Sequence, residues 1–302
     1  MNKSLVIVMV LAGWSSTAVG QETVDRRIDA VANGELEIAN TAGEIVVEGW
    51  ERNEVHVTGE LAENVERLDL LAEGQRVNVR VVLKPDQGQK GGYWWGSGTR
   101  LHIRAPRGML LDVDAVSADV EVRDMRGEQR LESVSGDVET QAFEAEVRAQ
   151  TVSGDLRVAG NGPTNIVRLS TVSGDVDVNR VSGEISAESV SGDVSLSAGT
   201  IGRVQASTVS GEISVTAQLS DTSRLEGTAV SGDVELQFTG SAAGDYRLET
   251  FSGDITNCFG PQPAETDDHG PPNGRQVRFR EGNSLARVEA KTHSGDVYVC
   301  RQ

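Results

Sequence analysis

Residues 134–138 read Val-Ser-Gly-Asp-Val, and the same five residues return at 172–176, 190–194 and 230–234. Most copies are separated by 18 to 21 residues, and Gly183 divides one of these intervals in two. The repeating unit is therefore about nine residues long, and two units make one period. Such a period predicts a repeat architecture. The shorter pattern Ser-Gly-acid-aliphatic begins at Ser135, Ser153, Ser173, Ser182, Ser191, Ser210, Ser231, Ser252 and Ser294.

The residues around each glycine alternate as they do in a β-strand. The second residue after the glycine is Val, Leu or Ile in every copy, and a small residue stands three places before the glycine in every copy except that of Gly183. Strands this short cannot bury an apolar face alone, but stacked coils can. We predict an all-β, parallel β-solenoid of roughly nine coils, about 43 Å long at ~4.8 Å per coil. An antiparallel sandwich of hairpins is the alternative.

Glycine provides the positive φ or the close backbone approach that the corner of a coil requires. The neighbouring Ser and Asp side chains can form hydrogen bonds to the backbone there. We assign the turn position to Gly136, Gly154, Gly174, Gly183, Gly192, Gly211, Gly232, Gly253 and Gly295.

The first twenty residues have the order of a secretory signal peptide. Lys3 precedes an apolar run that is too short to span a bilayer, and Ala18 and Gly20 occupy the cleavage positions before Gln21. We expect cleavage before Gln21, no transmembrane segment in the mature chain, and a periplasmic, secreted or cell-surface location. An uncleaved anchor is the alternative.

The remaining chain divides by its regularity. Residues 21–105 contain strand-like alternation without the full motif and predict an N-terminal β cap or irregular first coils. Residues 106–302 form the predicted solenoid repeat domain, with a loop insertion at 259–276.

Composition excludes several classes of function. The 302 residues contain 28 Lys and Arg against 46 Asp and Glu, so the net charge of −18 opposes nucleic-acid binding. Two cysteines and four histidines are too few for a multi-ligand zinc or iron–sulfur framework, and we expect no cofactor.

The serial Val-Ser-Gly-Asp-Val units follow a signal peptide and a Gly-Glu-Ile-x-Val-x-Gly-Trp opening from Gly43 to Trp50. In these features the chain resembles the bacterial "putative adhesin" domain-of-unknown-function family of exported β-strand-repeat proteins. The resemblance covers roughly residues 30–300. It implies a parallel β-helix-like fold and an envelope location, and it carries over no catalytic residues.

The acids of the motif would form a column, and calcium could relieve the repulsion within it. The candidate ligands are Asp137, Asp155, Asp175, Asp193 and Asp233. However, calcium-binding β-rolls have several glycines in each unit, whereas this repeat has one. The alternative is that Ser and Asp form hydrogen bonds to the corner backbone while solvent screens the column.

These features predict a non-enzymatic, adhesin-like binding or scaffold protein of the cell envelope, with a rigid acidic face. Its partner would be an unknown envelope protein or polysaccharide. The alternative is a carbohydrate-active lyase or hydrolase on a β-helix. An active site of that kind would interrupt the repeat with a cluster of Asp, Glu and Arg, and the central coils show no interruption.

The glycine-rich segment around Tyr93, Trp94 and Trp95 is a candidate ligand contact, because exposed aromatic rings suit contacts with sugars or proteins. The alternative is that the rings fold onto the cap or seal one end of the solenoid.

Cys258 and Cys300 each follow a motif glycine by five residues, so they occupy equivalent sites on a coil. Their separation of 42 residues suggests two coils, which would place them too far apart for a disulfide. Residues 259–276 are Pro-rich and lack alternation, and a loop there would leave the cysteines on adjacent coils. We therefore predict a disulfide in an oxidising compartment, with two buried free thiols as the alternative.

Overall fold

The computed structural model describes residues 22–85, 98–161, 165–261 and 274–302. The described chain is all-β and contains no helix, which confirms the predicted class. Accordingly, no helix among these residues is long and apolar enough to cross a membrane. The strands are β1 Glu22–Asp29, β2 Glu35–Trp50, β3 Glu54–Leu61, β4 Val65–Glu73, β5 Arg76–Leu83, β6 Thr99–Pro106, β7 Leu110–Arg123, β8 Gln129–Glu132, β9 Val138–Ala142, β10 Glu146–Gln150, β11 Leu156–Gly160, β12 Asn165–Ser173, β13 Val176–Ser191, β14 Val194–Ser210, β15 Ile213–Ser231, β16 Val234–Phe238, β17 Gly244–Ser252, β18 Ile255–Asn257, β19 Arg275–Glu281, β20 Arg287–Ser294 and β21 Val297–Arg301.

The strands stack in two parallel ladders that make the fold solenoid-like. The segment before each Ser-Gly-acid corner belongs to what we call the leading ladder, and the segment after it belongs to the trailing ladder. In the leading ladder Val147 pairs with Val167, which pairs with Ile185. In the trailing ladder β9 pairs with β11, and β11 pairs with β13. Like residues therefore lie over like residues, as the fixed period of the sequence requires.

The core lies between the two ladders. The inward residues of both ladders belong to one continuous cluster that extends from Val24 to Val299. Val138 and Leu156 in the trailing ladder and Val147 and Val167 in the leading ladder are all buried. Burial follows the alternation of the sequence, because every second side chain of a strand points to the same face.

Chain order and spatial order differ at the N-terminal end. β2 pairs on one side with β5 and β6 and on the other side with β7. The level that comes first in the chain therefore lies between the second level, formed by β5 and β6, and the third, formed by β7. β1, β3 and β4 then add antiparallel strands at this end. Residues 22–106 therefore contain both stacked levels and covering strands.

The C-terminal end has the same kind of reversal. β20 pairs with β15 and β17, and β21 pairs with β16 and β18. The last level of the chain, formed by β20 and β21, therefore lies between the level of β15 and β16 and the level of β17 and β18. β19 lies antiparallel on β17 and covers the end. The expectation of coils that simply follow one another is wrong here, and the predicted loop over 259–276 overlaps β19, which begins at Arg275.

Candidate functional site: the repeated corner

The corner glycines allow the coils to approach closely. A Cβ atom on Gly154 would overlap the carbonyl oxygen of Gly136, and a Cβ on Gly174 would overlap that of Gly154. Gly183 differs because it lies at the opposite corner, where its φ of 108° favours glycine. Stacking therefore requires glycine at this position, because any larger residue would force the backbone of the neighbouring level to move.

The acid after each glycine connects one level to the next. The backbone N–H of Asp155 donates to Asp137 Oδ1 at 2.9 Å, that of Asp175 to Asp155 Oδ1 at 3.0 Å, and that of Asp193 to Asp175 Oδ1 at 2.9 Å. One oxygen of each of these carboxylates therefore replaces a ladder carbonyl. We call the whole column the acidic row, which consists of Asp119, Asp137, Asp155, Asp175, Asp193, Glu212, Asp233, Asp296 and Asp254.

Few cations compensate the charge of the acidic row. Arg157 pairs with Asp137 at 3.2 Å and with Asp155 at 2.6 Å. Partial burial, together with the charges of Glu235 and neighbouring acids of the row, raises the pKa of Glu212. Within the described ranges, no three His, Cys, Asp or Glu side chains come together in a group that could hold a metal ion.

A buried column of hydroxyls anchors the corner from inside. Thr208 donates to the carbonyl of Gly192 at 3.0 Å, and Thr292 donates to that of Gly232 at 2.8 Å. The hydroxyls of Ser133 and Thr151 occupy equivalent positions and have no hydrogen-bond partner among the residues that the structure describes. The sequence shows this column as the recurrent small residue three places before each glycine.

An apolar column covers the outside of the corner. Its valines are between 45% and 48% exposed, although valine is usually a core residue. At the C-terminal end His293 takes the place of a valine, and its ring stacks on Phe251 with centroids 4.7 Å apart. We call this column the apolar stripe: Val116, Val134, Val152, Val172, Val190, Val209, Val230, His293 and Phe251.

Our sequence analysis did not identify the apolar stripe as a surface. The signal was present, because the valine directly follows an inward residue and alternation therefore places it outside. An apolar residue that recurs at an outward position in every unit is unexpected for a solvated face. This recurrence is the pattern that would have revealed the stripe.

A groove of about 490 Å³ runs beside the stripe on the leading ladder. Its lining includes three valines of the stripe and one column of the leading ladder: Val134, Val152 and Val172, with Asp114, Glu132, Gln150 and Ser170. Neither carboxylate forms an ion pair with the described part of the chain. The groove therefore combines apolar side chains with two carboxylates that form no ion pair among the described residues.

A second polar cluster lies near the N-terminal end. His56 is buried, its Nε2 lies 2.7 Å from Asp25 Oδ1, and its Nδ1 lies 3.2 Å from an Arg104 nitrogen. Trp50 stacks on the His56 ring, and the guanidinium groups of Arg104 and Arg52 lie over the indole. These contacts connect β1, β3 and β6 with the end of β2, so the cluster holds the covering strands in place.

The cysteines lie on neighbouring levels of the trailing ladder. The Cα atoms of Cys258 and Cys300 are 4.9 Å apart, and their sulfur atoms are at bonding distance. Their adjacency arises because β21 pairs with β18, so the two cysteines lie on adjacent levels, as their equivalent positions after a motif glycine predict. Tyr93, Trp94 and Trp95 lie outside the described residues, as does the predicted signal peptide.

Fold and corner together define an all-β, solenoid-like repeat protein, in which the repeated motif forms the contacts between levels and one outer edge of the stack. Comparison of the sequence with protein-family profiles identifies the family. The chain belongs to the Toastrack DUF4097 family, whose profile matches residues 33–224 and 191–300. This agrees with the "putative adhesin" resemblance, and the family has no established function.

Several solved structures are similar to this chain at low identity. A "putative adhesin" from Bacteroides fragilis NCTC 9343 has 12% identity and a TM-score of 0.45, over 92% of this chain and 97% of that one. A "putative lipid binding protein" from Parabacteroides distasonis ATCC 8503 has 14% identity and a TM-score of 0.41, over 93% and 96%. No curated protein matches the chain. The names describe those proteins, and at these TM-scores we draw no argument from them.

Proposed function

We propose that this protein is a non-enzymatic, adhesin-like binding or scaffold protein of the bacterial cell envelope, built as a rigid β-solenoid. The observation that carries the proposal is the apolar stripe, which presents one exposed apolar or aromatic side chain at each level beside the acidic row. Exposed apolar columns of this extent mark interaction sites more often than solvated faces.

The state of the polar groups supports binding over catalysis. Carboxylates of the acidic row accept backbone N–H groups, and hydroxyls behind the corner donate to glycine carbonyls. Groups committed to stacking in this way are poorly placed to act as acid, base or nucleophile, since each is held by the backbone. The corner therefore offers a regular surface more than a reactive centre.

The test is capture of partners from envelope extract by the purified mature protein. We expect captured material to be lost when Val134, Val152 and Val172 are all replaced by Ser. The matched control is Val31→Ser, which changes an equally exposed valine (47%) outside the stripe. Equal capture by the triple variant and the wild type would overturn the role of the stripe, and turnover of an envelope polysaccharide would favour the enzyme alternative.

The proposed location has its own measurement. We expect protein purified from the envelope fraction to begin at Gln21, as the signal-peptide pattern predicts. Intact mass decides this directly, and a chain that retains residues 1–20 would contradict the proposed export.

A further inference from the structure

The apolar stripe is too narrow to form a complete protein interface alone. Its exposed valines provide roughly 400 Å² of apolar surface, within the range of patches that mark interaction sites. One partner in a standard protein interface contributes about 800 Å². Any macromolecule that binds the stripe must therefore also contact the residues on its two sides.

Carboxylates lie on both sides of the stripe, along its whole length on the trailing side and at two levels on the leading side. The acidic row follows the stripe along the trailing ladder, and its nine members are all Asp or Glu. On the leading ladder, Asp114 lies at the level of Val116 and Glu132 at the level of Val134, and neither forms an ion pair within the described ranges. The next two positions of the groove are the uncharged Gln150 and Ser170. The surroundings of the stripe thus select a partner that carries positive charge.

This charge disfavours two other occupants. A second copy bound stripe to stripe would bring one acidic row against another, and like charges across an interface cost binding energy. A surface of anionic lipids would be repelled in the same way by a chain of net charge −18. A basic protein segment meets no such penalty.

The spacing of the stripe suits a helix. Successive levels of a parallel stack are ~4.8 Å apart, and successive turns of an α-helix are about 5.4 Å apart. A helix with one apolar residue on each turn can therefore follow Val134, Val152, Val172 and Val190 with a mismatch of about 2 Å over the three intervals. The groove of about 490 Å³ beside these valines offers space for its side chains.

We infer that the apolar stripe and the adjoining groove bind a basic amphipathic helix of a partner protein. Its apolar face would pack on Val134, Val152 and Val172, and its Lys or Arg side chains would pair with Asp114 and Glu132. The inference rests on the proposed binding function and adds the chemistry of the partner.

The probe is a labelled 18-residue peptide of Leu and Lys with its leucines on one helical face, titrated with the mature protein and followed by fluorescence anisotropy. We expect the triple variant Val134→Ser, Val152→Ser, Val172→Ser to lose affinity about tenfold or more, and Val31→Ser to bind as the wild type does. The double variant Asp114→Asn, Glu132→Gln should also bind more weakly, and added salt should reduce binding. Melting temperatures of all variants verify that they remain folded.

Two further probes define what overturns the inference. A peptide with every Lys replaced by Glu should not bind, and neither should vesicles of anionic phospholipid. If the triple variant binds the Lys peptide as tightly as the wild type, the attraction is merely that of a cation to an acidic protein and the inference is wrong. If the peptides fail while capture from envelope extract still depends on the stripe, the partner chemistry is wrong but the proposed binding function stands.

Discussion

The central levels of the stack and its two ends follow different rules. From β8 to β16 each level lies on the one that precedes it in the chain. At the N-terminal end β2 is enclosed by later strands, and at the C-terminal end β20 and β21 are inserted beneath earlier ones. Both ends are then covered by antiparallel strands.

The corner contacts are the same in both regions. Asp296 donates its backbone N–H to Asp233 Oδ1 at 2.8 Å, and Asp254 donates to Asp296 Oδ1 at 2.7 Å, although these residues are out of chain order. A motif whose contacts all run between levels can therefore join any two copies. The repeat specifies the register of neighbouring levels but leaves their order to the connections and the covering strands.

The largest expected effect comes from the central corner. Gly154→Ala places a Cβ against the backbone carbonyl of Gly136, which cannot move without disturbing the next level. We expect the free energy of unfolding to fall by about 3 kcal/mol or more, as for other steric overlaps in a packed interior. Chemical denaturation with circular dichroism measures it.

The matched control lies in the turn between β4 and β5 at the N-terminal end. Gly74 has a φ of 65° but open space around its Cβ position, so Gly74→Ala should cost only about 1 kcal/mol of backbone strain. If the two substitutions cost the same, close stacking is not what requires glycine at the corner.

The second expected effect concerns the C-terminal end. Replacing Cys258 and Cys300 together by Ser should lower the free energy of unfolding by about 2–4 kcal/mol, because the bond closes a long loop in the unfolded chain. Hydrogen exchange should accelerate in β17 and β18 and remain slow in β11 and β13. Thiol counting on denatured, unreduced protein is the companion measurement, and two free thiols would contradict the bond.

A smaller effect separates levels that look identical in sequence. Thr208→Val removes a hydroxyl that donates to Gly192, so we expect a loss of about 1 kcal/mol. Thr151→Val removes a buried hydroxyl that has no partner in the described part of the chain, so stability should stay the same or rise. Thermal unfolding of the two variants decides the point, and equal losses would show that Thr151 is hydrogen-bonded in solution.

The sequence was sufficient to predict the all-β class and the strands that stack at each corner, because both depend on alternation and period. The adjacency of Cys258 and Cys300 was also predictable from their equivalent positions after a motif glycine. The insertion of β20 and β21 was not, since the motif bonds equally to any neighbouring copy. The period of the repeat does not by itself show the apolar stripe, because only the outward phase of the valine before each Ser-Gly pair places it on the surface.

The smallest effect is a difference in pH dependence between the centre and the end. In the acidic row, partial burial and the neighbouring Glu235, Asp193 and Asp233 raise the pKa of Glu212. At the C-terminal end, hydrogen bonding to Arg280 lowers the pKa of Asp245. A raised carboxyl pKa in the folded state means that stability is lost as the pH rises, whereas a lowered one means that stability is lost as the pH falls.

The two neutral variants should therefore shift the melting temperature in opposite directions. At pH 7 Glu212→Gln should melt slightly above the wild type, because it removes a carboxylate that repels its neighbours, and Asp245→Asn should melt slightly below it, because it removes a partner of Arg280. As the pH falls, the difference for Glu212→Gln should shrink first, because a raised pKa means that this carboxyl binds its proton at a higher pH than Asp245 does. Calorimetric scans between pH 7 and pH 3 measure this. A shift of the same sign for both variants would show that the acidic row is fully screened by solvent and that its charge does not distinguish the centre of the stack from its end.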